Sequence, residues 1–322
     1  MKIVILDGHT ITQDDLTWDS LRRFGDLIMY DQTPYDEEET VKRIDDAQLV
    51  LVSKVPITAS VIKRCPNLQY IGVTATGYNV VDVKAANERG IIVTNVPGYG
   101  TETVAEFVFA LLLHMTRQVG LCAQSVERGE WCKSQDFCYL PTSQISLFGK
   151  VMGIVGFGQI GRKTAEIAQA FGMKVLVFTR HPNPKLETKT LSFVSLDELL
   201  SQSDIVSLHC PLTEDNYHMI NEETLQKMKP SAYLINTSRG PLVNEDALRT
   251  ALTKGWIKAA ALDVIEQEPM DPKCPLLGIP NCVIVPHIAW ATKECRELLI
   301  QMIQENIEAF FNKNPIHVVS VK

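Results

Sequence analysis

The chain has 322 residues, 45% hydrophobic and 21% charged, with a formal net charge of −7; one hydrophobic core stops growing at roughly 250–300 residues, so two domains are expected. The negative balance argues against a nucleic-acid or anionic-membrane surface, and no run of about 18 apolar residues is present to span a bilayer. The eight cysteines are scattered without a C-x-x-C pair, which excludes zinc-ligand spacing, speaks against a disulfide framework and suits a cytoplasmic protein with no metal.

From the N-terminus, Lys2–Asp7 reads as a strand, because its apolar run is too short for a secretory signal and ends in an acid. Further strand-like runs follow at Leu27–Tyr30, Leu49–Ser53, Tyr70–Thr74 and Ile91–Thr94. Helical patterns lie between them, including Glu37–Asp46 and Thr58–Arg64, with Thr58 placed as an N-cap. Such alternation predicts a parallel sheet covered on both faces. The character changes at Pro97-Gly98-Tyr99-Gly100. Thr103–Val119 then reads as a helix with Val104, Phe107, Val108, Leu111, Leu112 and Met115 spread around its circumference. A helix of that kind is buried on more than one side, either as a bridging core element or in a dimer interface.

A second series runs through strands at Val151–Val155, Lys174–Phe178, Ile205–His209, Ala232–Asn236, Ala259–Asp263 and Val283–Val285. Helices are expected between them at Gly161–Phe171, Leu196–Ser201, Glu222–Met228 and Glu245–Lys254. Six strands with such connections are the inventory of a doubly wound dinucleotide domain. A last helix, Lys293–Phe311, comes after this series and can return to the first domain.

The first strand of the second series runs into Gly156-Phe157-Gly158-Gln159-Ile160-Gly161. In this G-x-G-x-x-G turn Gly156 makes the tight bend, Gly158 admits a pyrophosphate and Gly161 lets helix and strand pack closely. The helix N-terminus adds N–H groups and partial positive charge for the phosphates. The next strand ends Val177-Phe178-Thr179-Arg180-His181, without the acid that would hold the ribose of NAD. Thr179 and Arg180 can receive a 2′-phosphate instead, which favours NADP over NAD and leaves dual use open.

Three later strand ends carry ionisable groups: Asn236-Thr237-Ser238-Arg239-Gly240, Asp263-Val264-Ile265-Glu266-Gln267-Glu268-Pro269 and Pro286-His287-Ile288-Ala289-Trp290. Taken singly, Arg239 fits a surface salt bridge, Glu268 a loop acid and His287 a satisfied core histidine. At successive carboxyl ends of one sheet, beside a nucleotide turn, they can converge on one crevice.

These segments, together with Thr103-Val104-Ala105-Glu106 and Cys210-Pro211-Leu212-Thr213, resemble the D-isomer-specific 2-hydroxyacid dehydrogenases over essentially the whole chain. The resemblance implies two Rossmann-like, doubly wound α/β domains with the active site in the cleft between them. Residues 1–98 plus 288–322 would form a discontinuous, flavodoxin-like substrate domain, and 99–287 the NAD(P) domain. It carries over Arg239, Glu268 and His287 as catalytic residues. His287 would act as acid and base, Glu268 would fix its tautomer, and Arg239 would bind the substrate carboxylate. The backbone at Ala75, Thr76 and Gly77 would be a second carboxylate clamp. Cofactor contacts implied are Val104, Gln159, Ile160, Cys210, Pro211, Asn216, Thr237, Ser238 and Asp263, the last holding the nicotinamide carboxamide. Homodimerisation through the helix beginning near Thr103 is also implied.

Within the family, Ala289-Trp290 after His287-Ile288, the segment Ala75–Asp82 and the loop Trp131–Cys138 resemble the glycerate dehydrogenase or hydroxypyruvate reductase branch. Trp290 would then shrink the substrate pocket to suit D-glycerate and hydroxypyruvate, with glyoxylate as a second substrate; alternatively it packs a domain interface. D-Lactate and phosphoglycerate dehydrogenases are the alternatives within the family. A nucleotide-sensing corepressor or scaffold is the alternative from another class.

Overall fold

The computed structural model describes residues 1–320. They form two units, Met1–Tyr99 with the described residues from Ala291 onward, and Gly100–Trp290. In the first unit, strands β1 (Lys2–Ile5), β2 (Asp26–Met29), β3 (Leu49–Val52), β4 (Tyr70–Val73) and β5 (Ile92–Thr94) are all parallel, in the order β2-β1-β3-β4-β5. This is the flavodoxin-like order. β3 and β4 bury every side chain, as continuous Val/Ile/Leu runs covered on both faces do. Helices α1 (His9–Thr12), α2 (Glu37–Ile44), α3 (Ala59–Arg64) and α4 (Val83–Glu88) make the crossovers. Thr58 caps α3 by accepting from the Val61 N–H, as its sequence position predicts.

The residue after β1 still bonds to the neighbouring strand, the Leu6 N–H donating to the Leu51 carbonyl at 3.1 Å, before the chain turns at Asp7. The buried Asp7 carboxylate accepts from the Ser53 N–H at 2.9 Å and the Lys54 N–H at 2.7 Å, making a corner at the carboxyl edge of the sheet.

The second unit opens with α5 (Thr101–Arg117) and α6 (Val119–Glu127). Gln118 has a left-handed φ of +47°, and the chain bends by 51° there, which ends the helix expected to reach Val119. α5 buries Val108, Phe109, Leu111 and Leu112 against a helix and two strands of its own unit. Phe107 and Leu113 on the same helix are only partly buried. Exposed apolar side chains lie further along, at Val119, Leu121, Trp131, Phe137, Leu140 and Phe148. Among the described residues no single helix is long and apolar enough to cross a membrane.

Seven parallel strands follow: β6 (Val151–Val155), β7 (Lys174–Phe178), β8 (Leu191–Phe193), β9 (Ile205–Leu208), β10 (Tyr233–Asn236), β11 (Ala259–Leu262) and β12 (Cys282–Ile284). Their order is β12-β11-β10-β9-β6-β7-β8, the doubly wound arrangement with a reversal at β6/β9. The expected count of six is corrected by β8, a three-residue strand paired to β7 through Val175, Leu176 and Val177. Helices α7 (Gln159–Ala170), α8 (Leu196–Gln202), α9 (Glu222–Lys227) and α10 (Glu245–Lys254) cover the sheet.

The final helix, α11 (Lys293–Phe311), belongs to the first unit. It buries Leu299, Ile303 and Ile307. Near its start the buried Arg296 forks onto the two carboxylate oxygens of Asp15 at 2.6 and 2.9 Å, and also donates to the Ile11 carbonyl at 3.0 Å. A guanidinium is tolerated in the interior when it is paired and hydrogen-bonded in this way.

Candidate active site

The glycine turn sits where β6 meets α7. Gly156 has φ +96°, and a Cβ there would lie 2.6 Å from the His209 carbonyl carbon and 2.7 Å from the Cys210 nitrogen. A Cβ on Gly161 would lie 2.2 Å from the Gly156 oxygen. Gly158 is different: a Cβ there meets no atom within 4 Å. Two glycines are therefore required by the protein's own packing, and the third keeps a space open above the helix terminus. α7 begins at Gln159, two residues earlier than expected, so Gln159 and Ile160 join the first turn, whose N–H groups have no intrahelical acceptor. Phe157 packs edge-on against Phe193, with ring centroids 5.5 Å apart.

At the end of β7, Thr179 is partly buried and Arg180 is exposed. Burial pushes the Cys210 thiol up, against its own backbone hydrogen bond and the charge of Arg180. Cys210-Pro211 follows β9, and Asn216 closes the turn: its Nδ2 donates to the Pro211 carbonyl at 2.8 Å while its Oδ1 accepts from the Thr213 N–H at 2.7 Å. Beneath the turn His209 was missed by sequence reasoning. Burial drives it down to about 3; its Nε2 meets Ser207 at 2.9 Å and its buried Nδ1 has no protein partner. The available signal was a histidine closing an otherwise apolar strand.

The loop after β10 is folded on its own side chains. Asn236 accepts from the Ser238 N–H at 3.0 Å and donates to the Arg239 carbonyl at 2.8 Å, and the Ser238 hydroxyl donates to the Leu208 carbonyl at 2.8 Å. The Thr237 hydroxyl is buried without a protein partner, so a bound group with a polar atom there would satisfy it. Together with the space above Gly158 and the α7 N-terminus, this makes the edge a fit for a dinucleotide. Val104 is buried in the first turn of α5, in the same unit.

Glu268 and His287 meet directly, with His287 Nδ1 2.8 Å from Glu268 Oε2. Glu268 Oε1 accepts from the Ile265 N–H at 3.2 Å. Burial alone would raise the Glu268 carboxyl; the His287 bond and charge, the Ile265 amide and the Arg239 charge outweigh it and hold the group below its ordinary range. Arg239 therefore acts on the same pair, and among the described residues it has no carboxylate within salt-bridge distance. His287 has a left-handed backbone, φ +54°. Its N–H donates to the Asp263 carbonyl at 2.8 Å, and the Asp263 carboxylate accepts from the Ile288 N–H at 2.7 Å and the Ala289 N–H at 3.0 Å. Asp263 thus clasps the histidine turn with both oxygens. The Trp290 indole N–H closes the turn from the other side, donating to the His287 carbonyl at 3.0 Å.

In the first unit, Ala75, Thr76 and Gly77 follow β4. Thr76 donates its hydroxyl to the Val96 carbonyl at 2.9 Å, and Asn95 Nδ2 donates to the Thr76 carbonyl at 2.7 Å, so this turn is held at both ends.

A doubly wound sheet whose strand ends bring together a phosphate turn, an arginine and a carboxylate-held histidine defines a nicotinamide-dependent oxidoreductase. Residues 109–289 match the profile of the family described as D-isomer specific 2-hydroxyacid dehydrogenase, NAD binding domain. A hydroxypyruvate reductase of Blautia hydrogenotrophica is 47% identical over 99% of this chain and 100% of its own length. A glycerate dehydrogenase of Methylorubrum extorquens is 40% identical over 99% and 98%. An acyclic imino acid reductase solved with NADPH and D-Arg superposes with a TM-score of 0.86 at 33% identity, covering 99% of this chain and 100% of that one. The chain belongs to the D-isomer-specific 2-hydroxyacid dehydrogenase family and is an NAD(P)-dependent enzyme of that class.

Proposed function

We propose that the enzyme interconverts D-glycerate and hydroxypyruvate, accepts glyoxylate as a second substrate, and prefers NADPH. The carrying observation is the 2.8 Å bond between His287 Nδ1 and Glu268, which leaves Nε2 as the nitrogen that exchanges a proton with substrate. The coenzyme, when bound, supplies or accepts the hydride at the substrate's second carbon. In reduction, His287 Nε2 gives its proton to the developing alkoxide; in oxidation it takes the hydroxyl proton. Glu268, bonded to Nδ1, keeps the ring in one orientation. Arg239 binds the substrate carboxylate through its planar fork and polarises the carbonyl oxygen. Trp290, tied to the His287 turn, favours a three-carbon acid over larger ones. The first unit is assigned to substrate recognition, with the backbone at Ala75, Thr76 and Gly77 suited to a carboxylate. The second is assigned to the coenzyme: the α7 N-terminus takes the pyrophosphate, Arg180 the 2′-phosphate, and Thr237 and the Cys210-Pro211 turn the nicotinamide half. The substrate assignment is supported by the two relatives named above.

The experiment is a steady-state comparison of kcat/KM for hydroxypyruvate, glyoxylate, pyruvate and branched 2-oxo acids, each with NADPH and NADH, beside His287→Ala. Hydroxypyruvate with NADPH should lead, and His287→Ala should lose turnover by about 10²–10⁴-fold while still binding coenzyme. A clear win for a branched acid overturns the substrate assignment, and an NADH preference overturns the coenzyme assignment. Normal turnover by His287→Ala overturns the mechanism. A homodimer through the helix beginning near Thr103 is supported by the exposed apolar side chains that follow it, from Val119 to Phe148, since exposed patches of this kind mark interaction surfaces.

A further inference from the structure

One polar cluster outside the residues assigned to substrate and coenzyme ties three loops of the second unit together. His218 has a left-handed backbone, φ +51°, a conformation that a side-chain-bearing residue keeps only where its surroundings demand it. Its N–H donates to the Pro241 carbonyl at 2.8 Å, and its own carbonyl accepts from Asn221 Nδ2 at 3.1 Å. The ring then sits between two partners, with Asn244 Nδ2 3.2 Å from Nδ1 and Glu266 Oε1 3.2 Å from Nε2. Tyr217 stacks on this ring with centroids 3.9 Å apart, and its hydroxyl donates to the same Glu266 oxygen at 2.6 Å.

The tautomer follows from the neighbours. Asn244 caps α10, its Oδ1 accepting from the Ala247 N–H at 2.9 Å, so its amide nitrogen is what meets His218. A donor there requires a lone pair on Nδ1, and the ring proton then lies on Nε2, toward Glu266. Glu266 is thereby held by two donors on one oxygen, while its own N–H donates to Glu245 Oε1 at 2.8 Å.

Each loop in this cluster carries an assigned residue. The first follows the Cys210–Thr213 turn, the second begins at Arg239 and the third ends at Glu268. The last two are already in backbone contact, because a Cβ on Gly240 would fall 1.8 Å from the Ile265 oxygen. Packing does not hold the Glu268 side chain, which is 38% exposed, nor that of His287, which is 42% exposed. Their 2.8 Å bond therefore depends on the path of the 265–268 loop, which also supplies the Ile265 N–H to Glu268.

We propose that Tyr217, His218 and Asn244 are positioning residues: they grip Glu266 and, through the 265–268 loop, aim Glu268 at His287. This rests on the assignment of Glu268 and His287 as the proton relay.

The test uses the full-length enzyme with Tyr217→Phe, His218→Asn and His218→Gln, each alone and combined with Glu268→Gln. Tyr217 is 53% exposed, so removing its hydroxyl leaves the core untouched. Asparagine tolerates the left-handed backbone but is too short to reach Glu266, whereas glutamine restores an N–H near the position of Nε2. Tyr217→Phe and His218→Asn should each lower kcat for hydroxypyruvate reduction by about five- to thirtyfold. KM for hydroxypyruvate and coenzyme Kd should change less than about twofold, the split expected when the proton relay and not binding is misaimed. His218→Gln should recover most of the loss. In the Glu268→Gln background the same substitutions should cost nothing further, since the group they aim is gone. A KM or coenzyme Kd that rises in step with the fall in kcat, or an equal loss in the Glu268→Gln background, overturns the proposal. Full turnover by His287→Ala would overturn the relay assignment and the proposal with it, whereas an inactive His287→Ala beside an unchanged Tyr217→Phe overturns the proposal alone.

Discussion

The three glycines of the phosphate turn respond differently to a single methyl group, and the difference separates folding from coenzyme binding. Gly158→Ala places a Cβ where no protein atom lies within 4 Å, at a residue with φ −74° and ψ −163° that alanine adopts without strain. Alanine is a poorer N-cap than glycine by about 0.5–1 kcal/mol, and it lowers unfolded-state entropy by about 0.4–1 kcal/mol. These offset, so Tm should move by no more than about 2 °C. The coenzyme meets the methyl group instead. Pushing the pyrophosphate off the α7 terminus removes one charge-assisted hydrogen bond of about 1.5–3 kcal/mol, which raises Kd by about 10–100-fold. Gly156→Ala and Gly161→Ala should behave the opposite way, since their Cβ atoms fall 2.2–2.7 Å from backbone atoms and cost about 2–3 kcal/mol or more of stability. Fluorescence titration with NADPH and NADH, paired with thermal melts, reads both effects. Wild-type affinity in Gly158→Ala would show that the pyrophosphate does not cross this residue and would refute the reasoning.

Arg180→Gln should raise Kd for NADPH by about 10–100-fold, the loss of a charge-assisted contact, and leave NADH binding unchanged; equal effects on both would remove Arg180 from the 2′-phosphate site. Glu268→Gln should cut reductive turnover at neutral pH by about 10–100-fold. Because Glu268 is held below its ordinary range, its bond to His287 contributes stability above about pH 4.3, where an unfolded glutamate is ionised, and loses it as pH falls through the lower folded value. The unfolding free energies of wild type and Glu268→Gln from urea titration, separated by less than about 1 kcal/mol for so exposed a pair, should converge below that pH; a constant separation would contradict the pairing. Phe137→Asp with Leu140→Asp should convert a homodimer into a monomer in sedimentation velocity without loss of secondary structure, whereas unchanged sedimentation would place any self-association elsewhere.

Much of the architecture was legible because apolar runs such as Val151–Val155 and Val175–Phe178 have only one use between two helical patterns. β8 was not, because Leu191-Ser192-Phe193 is flanked by Thr188, Lys189 and Thr190 and becomes a strand only by pairing with Val175–Val177. α6 was hidden in the same way by Gly120 and by the left-handed Gln118 that separates it from α5. In the site, Arg239, Glu268 and His287 stood out as ionisable residues at successive strand ends. What the chain did not disclose is how they are held. The Asp263 carboxylate reaches amides 25 and 26 residues away, and Tyr217 reaches Glu266 across 49 residues. Such pairings depend on tertiary placement, and neither spacing nor periodicity encodes them. Gly240 gave no signal either, since its close approach to Ile265 exists only once two strands lie side by side.

The fork of Arg296 on Asp15 bears on how the polypeptide matures during synthesis. The second unit is one continuous stretch, Gly100–Trp290, whereas the first needs both ends of the chain. Asp15 emerges from the ribosome hundreds of residues before its partner, and α11 brings with it the apolar face of Leu299, Ile303 and Ile307. The dinucleotide-binding unit can therefore assemble while the earlier-made unit still waits for its closing helix, reversing the usual N-to-C order of domain folding. The first strands to be translated therefore gain the cover of α11 only once the last residues are made.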